Sequence, residues 1–184
     1  MLGPEYADPN ARLKIWNRHI EEDLSKIIME SVWILHGLAG IDCGIVKREK
    51  TLLPSLEDPV ARGLDPKVRT DYFTISVLWI FGVYEVVRTL HQRLKNRNFQ
   101  NSKLCSRINH LKLKLARVRI PLAKLERPHS SPSDAGIAQH GTHFEKGIGW
   151  AVAPNCFITR RELADDFLEV LQDWKVSIAQ PVNP

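Results

Sequence analysis

The chain has 184 residues, 43% of them hydrophobic and 26% charged, with a formal net charge of +5. These values are ordinary for one soluble domain with a substantial core. The three cysteines are far apart and odd in number, which excludes a disulfide framework and favours a reducing, cytoplasmic location. The first ten residues lack the basic and apolar regions of a signal peptide.

Two apolar runs raise the question of a membrane protein. Residues 27–45 carry Glu30, His36 and Asp42, while residues 72–87 are only sixteen residues long and include Glu85. A membrane-spanning helix needs roughly 20 mostly apolar residues, so both runs favour buried core helices. We therefore expect no membrane partner.

The first predicted helix covers residues 9–36. Asp8 and Pro9 are suited to the cap and the first helical position, and apolar residues then recur at helical spacing. Gly37 and Gly40 are predicted to end this helix. Residues 41–65, which show no sustained period, are predicted to form a long connection.

Two further helices are predicted at 66–97 and 102–126. The first of these is apolar nearly all round, which is typical of the centre of a bundle. The other carries a regular apolar seam and contains Pro121. Because the seam keeps its register through the proline, we expect helix on both sides and a kink at Ile120–Pro121. The seam consists of Leu104, Ile108, Leu111, Leu115, Val118, Leu122 and Leu125.

The C-terminal third is predicted as a polar loop, a hairpin and a final helix. The loop covers 127–146, the β-hairpin 147–158 and the helix 159–175, with Thr159 and Glu162 at capping-box spacing. The predicted fold is therefore mainly α: one domain over residues 1–184, a bundle of about four principal helices with a small β-hairpin before the last helix. Four or five tryptophans are expected in its core.

Positive charge is concentrated in one segment. Residues 93–127 contain eleven Lys or Arg and one Glu. The leading hypothesis is a non-enzymatic interaction domain whose basic helix, within 103–127, contacts an acidic protein partner, possible self-association included. The alternatives are a nucleic-acid-binding surface and ordinary pairing with the acidic last helix. The candidate binding residues are Lys103, Arg107, Lys112, Lys114, Arg117, Arg119 and Lys124.

The sequence supports catalytic and metal-binding sites less strongly than it supports binding by the basic helix. Arg88 with His91, and Arg107 with His110, lie one helical turn apart and would suit an RNA-cleaving site if the two helices are neighbours. His140 and His143 have ligand-like spacing, but no second ligand pair accompanies them, so no metal site is expected. No catalytic or cofactor motif is present, and we expect no cofactor. Whether the protein is an enzyme stays open, and small-molecule binding between the central helices is a further alternative.

Overall fold

The computed structural model describes residues 6–57, 66–96, 103–143 and 145–178. Within them, helices and an antiparallel sheet follow the order predicted, and the mainly α fold with β structure directly before the last helix is confirmed. The helices are α1 (Pro9–Glu22), α2 (Val32–Glu57), α3 (Pro66–Asn96), α4 (Lys103–Lys124) and α5 (Arg160–Ile178). The strands are β1 (Gln139–His143), β2 (Gly147–Ala153) and β3 (Cys156–Thr159).

The prediction of a single helix over 9–36 is wrong. The start is as expected, since the Asp8 carboxylate accepts a hydrogen bond from the Ala11 amide at 2.8 Å. However, α1 ends at Glu22, and two short 3₁₀ turns lead into α2. The backbone leaves the helical conformation at Asp23, and the irregular segment buries both Ile27 and Ile28. Burial of these side chains accompanies the break between the two helices.

The predicted connection over 41–65 is also wrong as far as residue 57. Helix α2 runs through Gly37, Gly40 and Gly44, where an added Cβ would meet nothing within 4 Å. These glycines lie on the exposed side of the helix, whereas Leu38 and Ile45 are buried. Tertiary burial thus outweighs a helix cost of about 1 kcal/mol per glycine. Residues 58–65 lie outside the described residues.

Helix α3 matches its prediction within the described residues, and α4 ends two residues before the predicted end at 126. Helix α4 continues through the buried Pro121 to Lys124, which confirms helix on both sides of the proline; the kink itself stays a prediction. Leu125 then adopts a left-handed φ of 56° and ends the helix. Consequently Leu125 is exposed and does not extend the apolar seam, although the seam residues from Leu104 to Val118 are buried.

The hairpin predicted over 147–158 is the β2–β3 pair of a larger sheet. Strand β1 lies inside the predicted polar loop 127–146 and pairs antiparallel with β2, which places His140 opposite Trp150. The exposed, polar β1 shows no apolar alternation, which is why its sequence did not predict a strand. The loop prediction is therefore wrong at residues 139–143.

Helix α5 closes the core, and its cap is the predicted one. The Glu162 carboxylate accepts from the Thr159 amide at 3.0 Å, and the Glu162 amide donates to the Thr159 hydroxyl at 3.1 Å. The expectation of four or five core tryptophans is confirmed for Trp16, Trp79, Trp150 and Trp174. Trp33, in contrast, is 86% exposed.

Candidate functional site

A network of charged side chains lies inside the core, and we call it the ion cluster. Helix α2 supplies two carboxylates, α1 one arginine, and α5 two arginines and a third carboxylate. The charges of these six groups balance. The members are Arg12, Asp42, Glu49, Arg160, Arg161 and Asp165.

Asp42 is the centre of the ion cluster. Its carboxylate accepts hydrogen bonds from Arg12 Nε at 2.5 Å, from the Trp16 indole at 2.8 Å and from Arg160 Nη1. The side chains of Asp42, Arg12 and Arg160 are all 0% exposed. Burial alone would raise the pKa of Asp42, but the charges of Arg12 and Arg160 lower it by a larger amount. The pKa of Asp42 is therefore below its ordinary value. Asp42 is therefore a buried carboxylate held in its charged form.

Glu49 links the ion cluster to α3 and to the sheet. It accepts from the Tyr72 hydroxyl at 2.7 Å and from Arg160 at 3.2 Å, and burial together with the Glu49 charge raises the pKa of Tyr72. Gly147, at the start of β2, has a φ of 75°, and a Cβ there would lie 2.5 Å from Glu49 Oε1. The sheet thus approaches the cluster so closely that only glycine fits.

The geometry of the ion cluster supports a structural role. It ties α1, α2, α3 and α5 together, and the two described pockets have none of its members in their walls. Sequence reasoning missed it because residues 41–65 were predicted as a connection. The available signal was Asp42 and Glu49, seven residues apart and so on one face of an apolar helix.

The basic helix α4 is largely paired within the chain. Arg107 pairs with Asp173 and lies 3.7 Å from Glu169, and Lys114 lies 2.6 Å from Asp166. The pairing with the acidic last helix, which the sequence left as one alternative, is therefore present. Such partly exposed pairs contribute only about 0–1 kcal/mol each.

The other predicted binding residues of α4 have varied surroundings. Arg117 forms two hydrogen bonds of 2.7 Å with the buried Asp134. Arg119 lies over the Tyr84 ring, 5.0 Å from its centroid, and 3.5 Å from Glu85. Lys124 lies 3.3 Å from Glu126, Lys103 is exposed, and Lys112 contacts a histidine.

The Arg/His candidates do not form one site among the described contacts. His91 Nδ1 lies 3.2 Å from the Lys112 ammonium, and partial burial together with the Lys112 charge lowers the pKa of His91. Arg88 donates to Glu85 at 2.8 Å, Arg107 faces α5, and His110 is exposed. Their roles in catalysis stay predictions without a supporting contact.

The described residues contain no cluster of three or more His, Cys, Asp or Glu side chains that could hold a metal ion. His140 and His143 are three residues apart on β1, so they point to opposite faces of the sheet. The His143 ring accepts a hydrogen bond from the Glu145 amide at 3.2 Å, and the His140 ring packs against Phe73.

An open pocket of about 470 Å³ lies between α3, the end of α4 and the sheet. Its walls are mainly apolar and aromatic: the His140 and Phe73 rings meet nearly edge to face, with centroids 4.7 Å apart and an interplanar angle of 71°. Trp150, opposite His140 in the sheet, is 1% exposed and forms the floor. The described lining residues are Arg69, Thr70, Phe73, Thr74, Val77, Leu78, Leu122, His140 and Trp150.

A second, smaller groove of about 400 Å³ lies along the exposed side of α2. It includes the three open glycines of α2, with Ile75 of α3 at one side, and the exposed Trp33 precedes it. We call this surface the α2 groove.

By length and composition alone, Met29–Lys50 and Lys67–Asn96 are apolar enough to cross a membrane, a property shared by core helices.

Comparisons with known proteins give no functional information. No protein-family model, no curated protein and no solved structure matches the chain.

Proposed function

We propose that the protein is a binding domain that holds a small, largely apolar molecule in the pocket beneath α3. The observation that supports this most directly is the pocket's volume of about 470 Å³ combined with a wall formed by Phe73, His140 and Trp150. Pockets for small organic ligands fall in the range of roughly 300–1,000 Å³, and most have apolar walls with a few polar groups. Rigid aromatic side chains contribute large contact area at low entropic cost.

The rigidity of the surrounding elements also supports the proposal. Trp150 is held in β2 between His140 of β1 and Ile158 of β3, and Phe73 and Val77 lie one turn apart on α3. Sites built on helices and strands keep their shape better than sites on loops. A pre-formed wall lowers the ordering cost that a ligand would otherwise have to offset.

Partial filling of the pocket by a larger side chain should weaken binding. We expect the neutral fluorophore N-phenyl-1-naphthylamine to bind the wild-type chain with one-to-one stoichiometry, and Thr74→Trp to weaken that binding about tenfold or more. Thr74 is an exposed lining residue, so its replacement should leave the fold intact. Fluorescence titration of both proteins measures the effect.

Gln92→Trp is the matched control, because Gln92 is exposed on the same helix and is outside the pocket lining. It adds the same indole, and we expect wild-type affinity. Equal affinity of wild type and Thr74→Trp, or no binding by the wild type, would contradict the proposal.

The interaction hypothesis for α4, with its nucleic-acid alternative, stays a prediction. Several of its cations already have partners within the chain, so we propose the α2 groove as the contact surface of a second candidate function, self-association. Trp33 and Arg48 are exposed at opposite ends of the groove, and Gly37 and Gly44 lie between them. The pair Trp33 and Arg48 and the pair Gly37 and Gly44 have the same midpoint in the helix, between residues 40 and 41.

A second copy of the chain fits this arrangement. In an antiparallel pair of α2 helices related by a two-fold axis, Trp33 of each chain would lie opposite Arg48 of the other, as a cation–π contact requires. The glycines would then face each other and permit close approach of the helices. This complementarity favours a second copy over other occupants.

Gly40→Leu separates assembly from folding. An added Cβ at Gly40 meets nothing within 4 Å, so leucine should raise helix stability in the monomer and yet block close approach of two α2 helices. We expect sedimentation velocity to show a concentration-dependent dimer for the wild type and a monomer for this variant. Lys50→Leu, which adds leucine outside the groove lining, should dimerise normally.

Two results would contradict self-association. One is a wild-type monomer at every concentration tested, and the other is a dimer that persists in Gly40→Leu. Binding of the wild type to phosphatidylcholine vesicles in place of dimer formation would assign the groove to a lipid surface instead.

A further inference from the structure

The pocket has a cation at its edge without a counter-ion among the described residues. Arg69 lines the pocket, is exposed, and forms no ion pair within the part of the chain that the structure describes. None of the described lining residues is acidic. The described lining of the pocket therefore carries a net positive charge next to an apolar interior.

The position of Arg69 in α3 adds to this charge. Arg69 is the fourth residue of the helix, so it lies in the first turn, where the amide groups carry the positive end of the helix dipole. A negative group next to Arg69 would be favoured by both the guanidinium and the helix end. A cationic ligand would be repelled by both.

The apolar and aromatic walls indicate the shape of the rest of the ligand. The rings of Phe73, His140 and Trp150 line the same pocket as the aliphatic Val77 and Leu122. Aromatic walls favour a planar ligand, since offset-stacked and edge-to-face contacts stabilise aromatic pairs beyond simple area burial. The His140 ring in this lining is exposed, and its nitrogens can form hydrogen bonds.

From these features we infer that the ligand is an organic acid with a planar, apolar body. Its acidic group lies against Arg69, and its ring system lies among Phe73, Leu122 and Trp150. The inference rests on the proposed binding function and adds the chemical class of the ligand.

Two fluorophores that differ in one acidic group test the inference. The probes are 8-anilinonaphthalene-1-sulfonate, an anion, and N-phenyl-1-naphthylamine, its neutral counterpart. We expect the wild type to bind the anion more tightly. Arg69→Met should weaken the anion about tenfold, as loss of a charge-assisted hydrogen bond predicts, and leave the neutral probe unchanged. Arg69→Lys should retain most of the anion's affinity.

Lys67→Met is the control for net charge, since Lys67 is exposed in the same helical turn but is not a lining residue. It should leave the affinity for both probes unchanged. If Arg69→Met does not change the preference for the anion, or Lys67→Met weakens the anion equally, the inference is wrong while the binding function stands. If neither probe binds the wild type, both the inference and the proposed function are wrong.

Discussion

Asp42→Asn is expected to destabilise the folded protein by about 3–5 kcal/mol, because it leaves two buried arginines without their shared counter-ion. Arg12 and Arg160 are 0% exposed and both donate to Asp42. An asparagine side chain keeps the shape but loses the charge, and its NH2 group, a donor, replaces one of the two carboxylate oxygens that now accept hydrogen bonds. Urea unfolding followed by circular dichroism measures the loss.

The matched control is Glu85→Gln, which removes an exposed carboxylate that pairs with Arg88 and Arg119. It should change the free energy of unfolding by less than about 1 kcal/mol. Equal effects of the two substitutions would contradict a special role for the ion cluster, and so would a fully stable Asp42→Asn protein.

The stability of Asp42→Asn should also depend on pH differently from that of the wild type. The pKa of Asp42 is lower in the folded chain than in the unfolded one, because Arg12 and Arg160 outweigh its burial. Its stabilising contribution is therefore complete above the unfolded pKa of about 3.9 and is lost as the pH falls through the lower folded pKa. Stability of the wild type should consequently fall more steeply in acid than that of Asp42→Asn.

Gly147→Ala should destabilise the fold by about 2–4 kcal/mol, by combining backbone strain with displacement of buried hydrogen-bonded groups. Gly147 has a φ of 75°, and an added Cβ would lie 2.5 Å from Glu49 Oε1 and 2.8 Å from the Tyr72 hydroxyl. A shift of either group would break the 2.7 Å hydrogen bond between them. Thermal unfolding followed by circular dichroism gives the change in midpoint.

Gly136→Ala provides the comparison for Gly147, since its nearest neighbour atom would be an ordinary 3.8 Å away. We expect a change within about 0.5 kcal/mol for this substitution. Similar unfolding midpoints for both alanine variants would contradict the prediction, because they would show that β2 can move away from the ion cluster without loss of stability.

Local signals in the sequence predicted the parts of the fold that local chemistry determines. The caps predicted at Asp8 and Thr159 are both present. Each of these features depends on residues within one helical turn or on helix geometry.

Features determined by tertiary contacts were predicted less well. Gly37 and Gly40 suggested a helix end, but burial of the opposite face of α2 keeps the helix continuous. That error hid Asp42 and Glu49, whose partners lie more than 20 residues away in the sequence. The pocket, too, joins α3, α4 and a strand with no recognisable pattern, so sequence alone indicated only that a bundle could hold a ligand.

The most direct test of ligand binding in the pocket uses the five tryptophans as reporters. Each indole N–H gives one NMR resonance, and among the described pocket-lining residues Trp150 is the only tryptophan. Titration with 8-anilinonaphthalene-1-sulfonate should shift the Trp150 resonance and saturate at one equivalent, while the resonances of Trp33 and Trp174 stay in place. A saturating shift of Trp33 with Trp150 unchanged, or no shift of any indole resonance, would contradict the proposal.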